Sequence, residues 1–166
     1  MNVQRIKQNE GGRTGVGFVT HLVAMAITDV IDIMPNGLFV NSLELKAGKQ
    51  AILFELYTKA CTWQEVEQRS DDGKLFNITL DVVLTGQSAT TLTWLYENQN
   101  KKFVLAWRDT NGNCFVAGDT ELGFEYLYKR WTTDRSLMQV VFTANMLAPS
   151  FSLNTSFFSS VNLKQI

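Results

Sequence analysis

Residues Phe103 to Gly118 read FVLAWRDTNGNCFVAG, and the reading of these sixteen residues decides the fold. At their centre, Asp109-x-Asn111-x-Asn113 has the oxygen spacing of a calcium loop. A helical calcium loop also needs Gly at its sixth position and a bidentate acid at its twelfth. Cys114 and Thr120 stand there instead. Asn111-Gly112, by contrast, is the favoured pair for a type I′ turn, where both residues take positive φ. Phe103, Leu105 and Trp107 alternate on one side of it, and Cys114 and Val116 on the other. The stretch therefore predicts a hairpin, 103–108 with 114–118, in which Asp109, Asn111 and Gly112 serve the turn.

Working outward, the same period-two alternation recurs. It begins at Val16 and ends near Asp29–Asp32, before the turn residues Met34-Pro-Asn-Gly37. Strands are expected at 38–45 and 50–57. The segment 61–69 carries a capping-box pattern, Thr62-x-x-Glu65, but also alternates. Across Ser70-Asp-Asp-Gly73 lies the unbroken alternation of Phe76, Ile78, Leu80, Val82 and Leu84, so both segments are read as paired strands. One helix is expected, about 88–99, capped by Ser88 with Leu92, Leu95 and Tyr96 on one face. Strands at 122–131 and 136–144 complete the set, and Pro149 closes the pattern. The fold class is mainly β: an antiparallel β-sandwich or barrel of about seven to nine strands with one flanking α-helix. Residues 1–15 read as a flexible arm, 16–150 as the domain, and 151–166 as a tail.

The chain has 166 residues, 45% of them apolar and 19% charged, with a formal net charge of −1. That suits one globular domain and no electrostatic nucleic-acid binder. Cys61 and Cys114 are far apart among β-prone neighbours and read as buried free thiols. The start lacks an apolar signal core, and polar residues interrupt the longest apolar stretch, Val16–Ile33, so no membrane span is expected.

Catalytic constellations do not assemble. His21 is the sole histidine, with no metal-spaced partner and no Gly-x-Ser-x-Gly elbow. The pairs Asp29/Asp32 and Asp71/Asp72 fall at strand ends and turns, where Asp bonds local backbone. Gly11-Gly-Arg-Thr-Gly-Val-Gly17 precedes a strand and lacks the Lys-Ser/Thr ending of a phosphate loop. The reading is therefore of a protein that is no enzyme and needs no cofactor or metal. Trp63, Trp94, Trp107 and Trp131 fall on four elements. Phe151, Phe157, Phe158 and Leu163 crowd the tail, and these apolar groups need a partner surface on their own domain or on a neighbouring subunit.

Taken in order, a Gly11-Gly12 arm, Ile27-Thr-Asp-Val-Ile31, Leu45-Lys-Ala-Gly-Lys49, Asp71-Asp-Gly-Lys74, a short helix, Lys101-Lys-Phe-Val-Leu-Ala-Trp-Arg-Asp-Thr-Asn-Gly-Asn113 and Ala148-Pro-Ser-Phe151 resemble virion structural proteins of tailed bacteriophages. The likeness is to those of Bacteroides-type hosts with a tail-tube-like fold. It spans roughly residues 10–151, and its most specific piece is Phe-Val-x-x-x-Arg-Asp-x-Asn-Gly. It implies a non-enzymatic tail-tube or connector subunit, made in the host cytoplasm and placed in the virion. Such a subunit forms a homo-oligomeric ring, as a hexamer for example, contacts other tail or connector proteins, and lets DNA pass without specific binding. A carbohydrate-binding-like β-sandwich using Trp63 or Trp131 is the rival expectation.

Overall fold

Phe103 to Trp107 is buried at every position. A strand turns successive side chains to opposite faces, so this one needs cover on both sides. The fold is the answer to that demand. The computed structural model describes residues 18–57, 59–86, 88–132, 136–161 and 163–165, apart from the side chains of 164 and 165.

The elements run in order as β1 (Val19–Ala26), a 3-10 turn (Ile27–Asp29), β2 (Val30–Asn36), β3 (Phe39–Leu45), β4 (Ala51–Glu55), β5 (Cys61–Ser70) and β6 (Gly73–Thr85). Then come α1 (Ala89–Asn98), β7 (Phe103–Asp109), β8 (Cys114–Ala117), β9 (Glu125–Thr132), β10 (Ser136–Met146), β11 (Phe151–Leu153), α2 (Phe157–Ser160) and β12 (Leu163–Gln165). They form an eight-stranded sheet ordered β12-β4-β1-β7-β8-β11-β3-β2 and a four-stranded sheet ordered β5-β6-β10-β9. The expected β-sandwich with a flanking helix is what the chain builds.

Odd and even positions of the central strands supply two separate cores. Leu22, Ala24, Phe54, Leu105 and Trp107 face the four-stranded sheet and meet Ile78, Leu80, Val82, Val140 and Phe142. Val23, Met25, Leu53, Val104, Ala106 and Val116 face the other way and meet Val30, Val40, Leu153 and Phe157. The four-stranded sheet covers the first face. The eight-stranded sheet and its C-terminal elements cover the second themselves.

Helix α1 starts where Ser88 Oγ accepts from Thr91 N at 3.4 Å, and it seats Leu95 and Trp94 against the first core. Trp94 stacks on Tyr126 with centroids 5.8 Å apart and meets the edge of Phe54 at 5.6 Å. Tyr126 Oη donates to Leu95 O at 2.6 Å, so the one polar atom of that ring is paired in a buried setting. The helix thus closes one corner of the sandwich with an aromatic cluster. At the opposite end, Glu65 faces inward at the end of the sheet, and its Oε2 accepts from Ser150 N at 2.7 Å. This bond fixes the crossing from β10 to β11.

Two expectations need correction. Met34-Pro-Asn belongs to β2 rather than to a turn, which is confined to Gly37 and Leu38. Pro35 is accommodated because β2 is an edge strand with a register shift at Met34/Pro35. The reading of 61–69 as a strand holds: β5 pairs one-to-one with β6, and the capping-box pattern at Thr62–Glu65 starts no helix. Finally, order does not stop at Pro149, and the tail is not a separate unit. β11 pairs with β3 and β8, and β12 runs parallel to β4. The physical reason is the uncovered second face of β1 and β7. Phe157 is buried there, and Phe151, Phe158 and Leu163 pack around it half-buried. The expected N-terminal arm and the glycine run 11–17 lie outside the described residues.

Truncating Phe157 to Ala should cost about 3–5 kcal/mol in urea unfolding of the full chain, as for a core aromatic. A free arm at this position would give a change within about 0.5 kcal/mol.

Candidate functional site

The Asp109–Asn113 loop is a hairpin turn of a different type from the one its sequence predicts. Gly112 has φ +82°, but Asn111 is not among the residues with positive φ, so the type I′ geometry is absent. Gly112 N donates to Asp109 O at 3.1 Å, and Asp109 N to Asn113 O at 3.0 Å. This is a three-residue loop with glycine at its left-handed position. The cause is the Asp109 carboxylate. Its Oδ1 accepts from Asn111 N at 2.8 Å and Asn113 N at 2.9 Å, while Oδ2 accepts from Asn113 Nδ2 at 3.1 Å. These bonds hold Asn111 in ordinary φ and leave left-handed geometry to Gly112 alone. They also commit the oxygens that a calcium ion would require. Among the described residues no group of three or more His, Cys, Asp or Glu could hold a metal ion.

The other candidate acids are occupied locally too. Asp29 pairs with Lys49 Nζ at 3.4 Å, and Asp32 Oδ1 accepts from Ile33 N at 2.7 Å. Asp71 and Asp72 sit exposed in the β5–β6 turn. His21 Nδ1 lies 2.9 Å from Thr20 Oγ1, and its ring meets the edge of Phe158 at 6.4 Å. Nothing in these contacts forms an acid–base pair across a cleft or a nucleophile–base–orienter chain.

Cys61 is buried in the first core and Cys114 in the second, on opposite faces of the large sheet, and both are free thiols. Burial pushes the Cys61 thiol up to about 12, with Asp81 adding to the effect. Burial also raises Cys114, against the opposing pull of Arg108.

The two candidate sugar platforms are engaged. Trp63 points into the sandwich, 5.4 Å from Trp107 and 5.3 Å from Phe115. Trp131 carries Lys129 Nζ over its ring at 5.6 Å. What sequence reasoning missed is the state of the strand edges. The large sheet ends in β12, only 3 residues long, and in β2, which has two register shifts, Pro35, and an Asp32 side chain on the Ile33 N–H. Such features blunt an edge against strand addition. The small sheet ends in β5 and β9, each paired to its neighbour without a register shift. Both run without proline, and Leu127 in the middle of β9 is 82% exposed. The sequence signal was present in Glu125–Thr132, where alternation places Leu127, Lys129 and Trp131 on the face away from the core.

No protein-family model, curated protein or solved structure matches the chain. No helix among the described residues is long and apolar enough to cross a membrane.

Two measurements check this description. Asp109→Ala should lower stability by about 1–2 kcal/mol through loss of the charge-assisted turn bonds, and millimolar calcium should leave the melting temperature of the parent protein unchanged. At pH 8 a thiol with pKa about 12 holds on the order of one part in 10⁴ as thiolate. Ellman's reagent should therefore leave Cys61 unmodified in the native protein and label both cysteines in denaturant.

Proposed function

We propose that the chain is a non-enzymatic assembly subunit that joins its own copies edge to edge into a ring, as a tail-tube or connector component of a phage virion does. The observation that carries this reading is the four-stranded sheet, whose two regular edges pair with no further strand among the described residues. A strand edge is a row of unpaired N–H and C=O groups, and chains that remain single blunt it. β2 is blunted by its register shifts and Pro35; β5 and β9 carry charged residues but keep unshifted ladders without proline. Two different edges meeting head to tail make a heterologous contact, which closes into a ring or extends as a filament.

β9 carries Glu125, Lys129 and Arg130, a formal +1 (one acid, two bases), while on β5 Glu65 turns inward and Glu67 pairs with Lys74 at 3.0 Å and Arg69 at 3.5 Å. The outer face of the same sheet presents Thr62, Gln64, Thr79, Gln139 and Thr143, and its Asp81 carboxylate accepts from Gln139 Nε2 at 2.9 Å on both oxygens. The apolar Val83, Leu127, Val141 and Trp131 share this face with Lys129, and a surface so poor in cations suits a duct that passes DNA without holding its phosphates.

Light scattering after gel filtration, followed by negative-stain microscopy, tests the proposal. Rings, tubes or larger oligomers are expected, and the double variant Lys129→Glu/Arg130→Glu should shift the protein to monomer with an unchanged circular dichroism spectrum. A parent protein that stays monomeric at millimolar concentration overturns it.

A further inference from the structure

Beyond the start of β9 two open cavities adjoin. One, of about 460 Å³, is bounded by Asn77, Asn145, Thr143, Glu125 and Lys102. The other, of about 380 Å³, is bounded by Gln99, Asn100, Lys101 and Leu127, again with Glu125 and Thr143. Thr143 and Glu125 are register partners, so the two spaces form one groove across the end of the small sheet. It exists because β10 runs on to Met146 while β9 begins only at Glu125, which leaves Asn145 without a β9 neighbour.

The wall of the groove is held tightly. Asp119 Oδ1 accepts from Glu121 N and Leu122 N at 2.7 and 2.6 Å. Phe124 N then donates to Phe103 O at 2.7 Å. Gly123 lies so close beneath that an added Cβ would sit 2.8 Å from Ile27 Cγ2 and 3.0 Å from Phe103 N. A groove built on such a loop is pre-organised rather than formed on binding.

Its chemistry is neutral and bifunctional. Asn77 Nδ2 donates to Asn145 Oδ1 at 3.1 Å, and Asn77 Oδ1 accepts from Thr79 Oγ1 at 3.5 Å. This orients the two amides and leaves the Asn145 amide nitrogen available as a donor. Thr143, Gln99 and Asn100 add both donors and acceptors. Lys102 and Glu125 offset each other at 3.6 Å, and Lys101 donates to Asn98 Oδ1 at 2.8 Å. Two lysines against one glutamate leave a formal +1, too little for a polyanion, which needs several cations. The apolar lining is Leu122, Ala144, Tyr126 and Leu127, of which Ala144 and Tyr126 are themselves buried, too little for a lipid or an aromatic ligand. Fixed amides and a hydroxyl beside small apolar patches match the vicinal hydroxyls and C–H faces of a sugar.

We propose that this groove binds a neutral oligosaccharide. The site is distinct from Trp63 and Trp131. Its Asn77–Asn145 half lies off the end of β9, where strand addition to that edge leaves it open.

Saturation-transfer NMR on the full chain with cellohexaose, maltohexaose and chitohexaose tests this. Transfer to at least one is expected. Asn145→Ala and the isosteric Thr143→Val should each weaken its binding about fivefold, the effect of one lost hydrogen bond. Trp131→Ala should leave it unchanged. The proposal is overturned if none of the three sugars shows transfer, if neither groove substitution weakens binding in folded protein, or if only Trp131→Ala weakens it. Light scattering on the same samples reports assembly separately, so failure of one reading is not failure of the other.

Discussion

The central strands of the large sheet have no polar face, and the rest of the molecule follows from covering them. Phe103 to Trp107 and Leu22 to Met25 are buried without interruption. At about 25 cal/mol per Å² of apolar surface removed from water, leaving either side of such strands exposed would cost more than a marginally stable domain tolerates. One side is met by the small sheet and α1. The other is met by the β2–β3 hairpin, β11, α2 and β12, which bring Val40, Leu153 and Phe157 over Val104 and Ala106. The C-terminal residues therefore belong to the architecture of the domain itself.

The same constraint separates what the protein can do from what it uses for support. The rings Trp63, Trp94 and Trp107 go to core packing. The acids at turns serve the backbone, with Asp109 organising a hairpin, Asp119 a loop, and Asp32 an edge strand. Polar capacity remains mainly on the small sheet, along its two regular edges and in the groove where β9 stops short of the end of β10. The features this leaves at the surface are two strand edges and a groove.

Much of the fold was legible because alternation reports burial directly. The run Phe76, Ile78, Leu80, Val82 and Leu84 marks an inward face whatever the partner is, and Ser88 marks a helix start through a bond three residues away. The turn at Asn111-Gly112 was legible as a turn but not by type, because the deciding group is the Asp109 carboxylate, whose reach spans four residues. The candidate groove was not legible at all. Asn77, Thr143 and Asn145 are unremarkable polar residues on outward positions, and only the sheet register and the early departure of β9 set them around one space.

Local rules, set by the chemistry of neighbours along the chain, determined from sequence alone a mainly β protein, the single long helix, the hairpins and the free thiols. Tertiary structure decided which strands share a sheet, that the tail returns to it, that Cys61 and Cys114 lie in different cores, and which strands form the sheet edges. The reason is that periodicity says a face must be buried but not against what. The missing partner lies far along the chain, and only the closed fold identifies it.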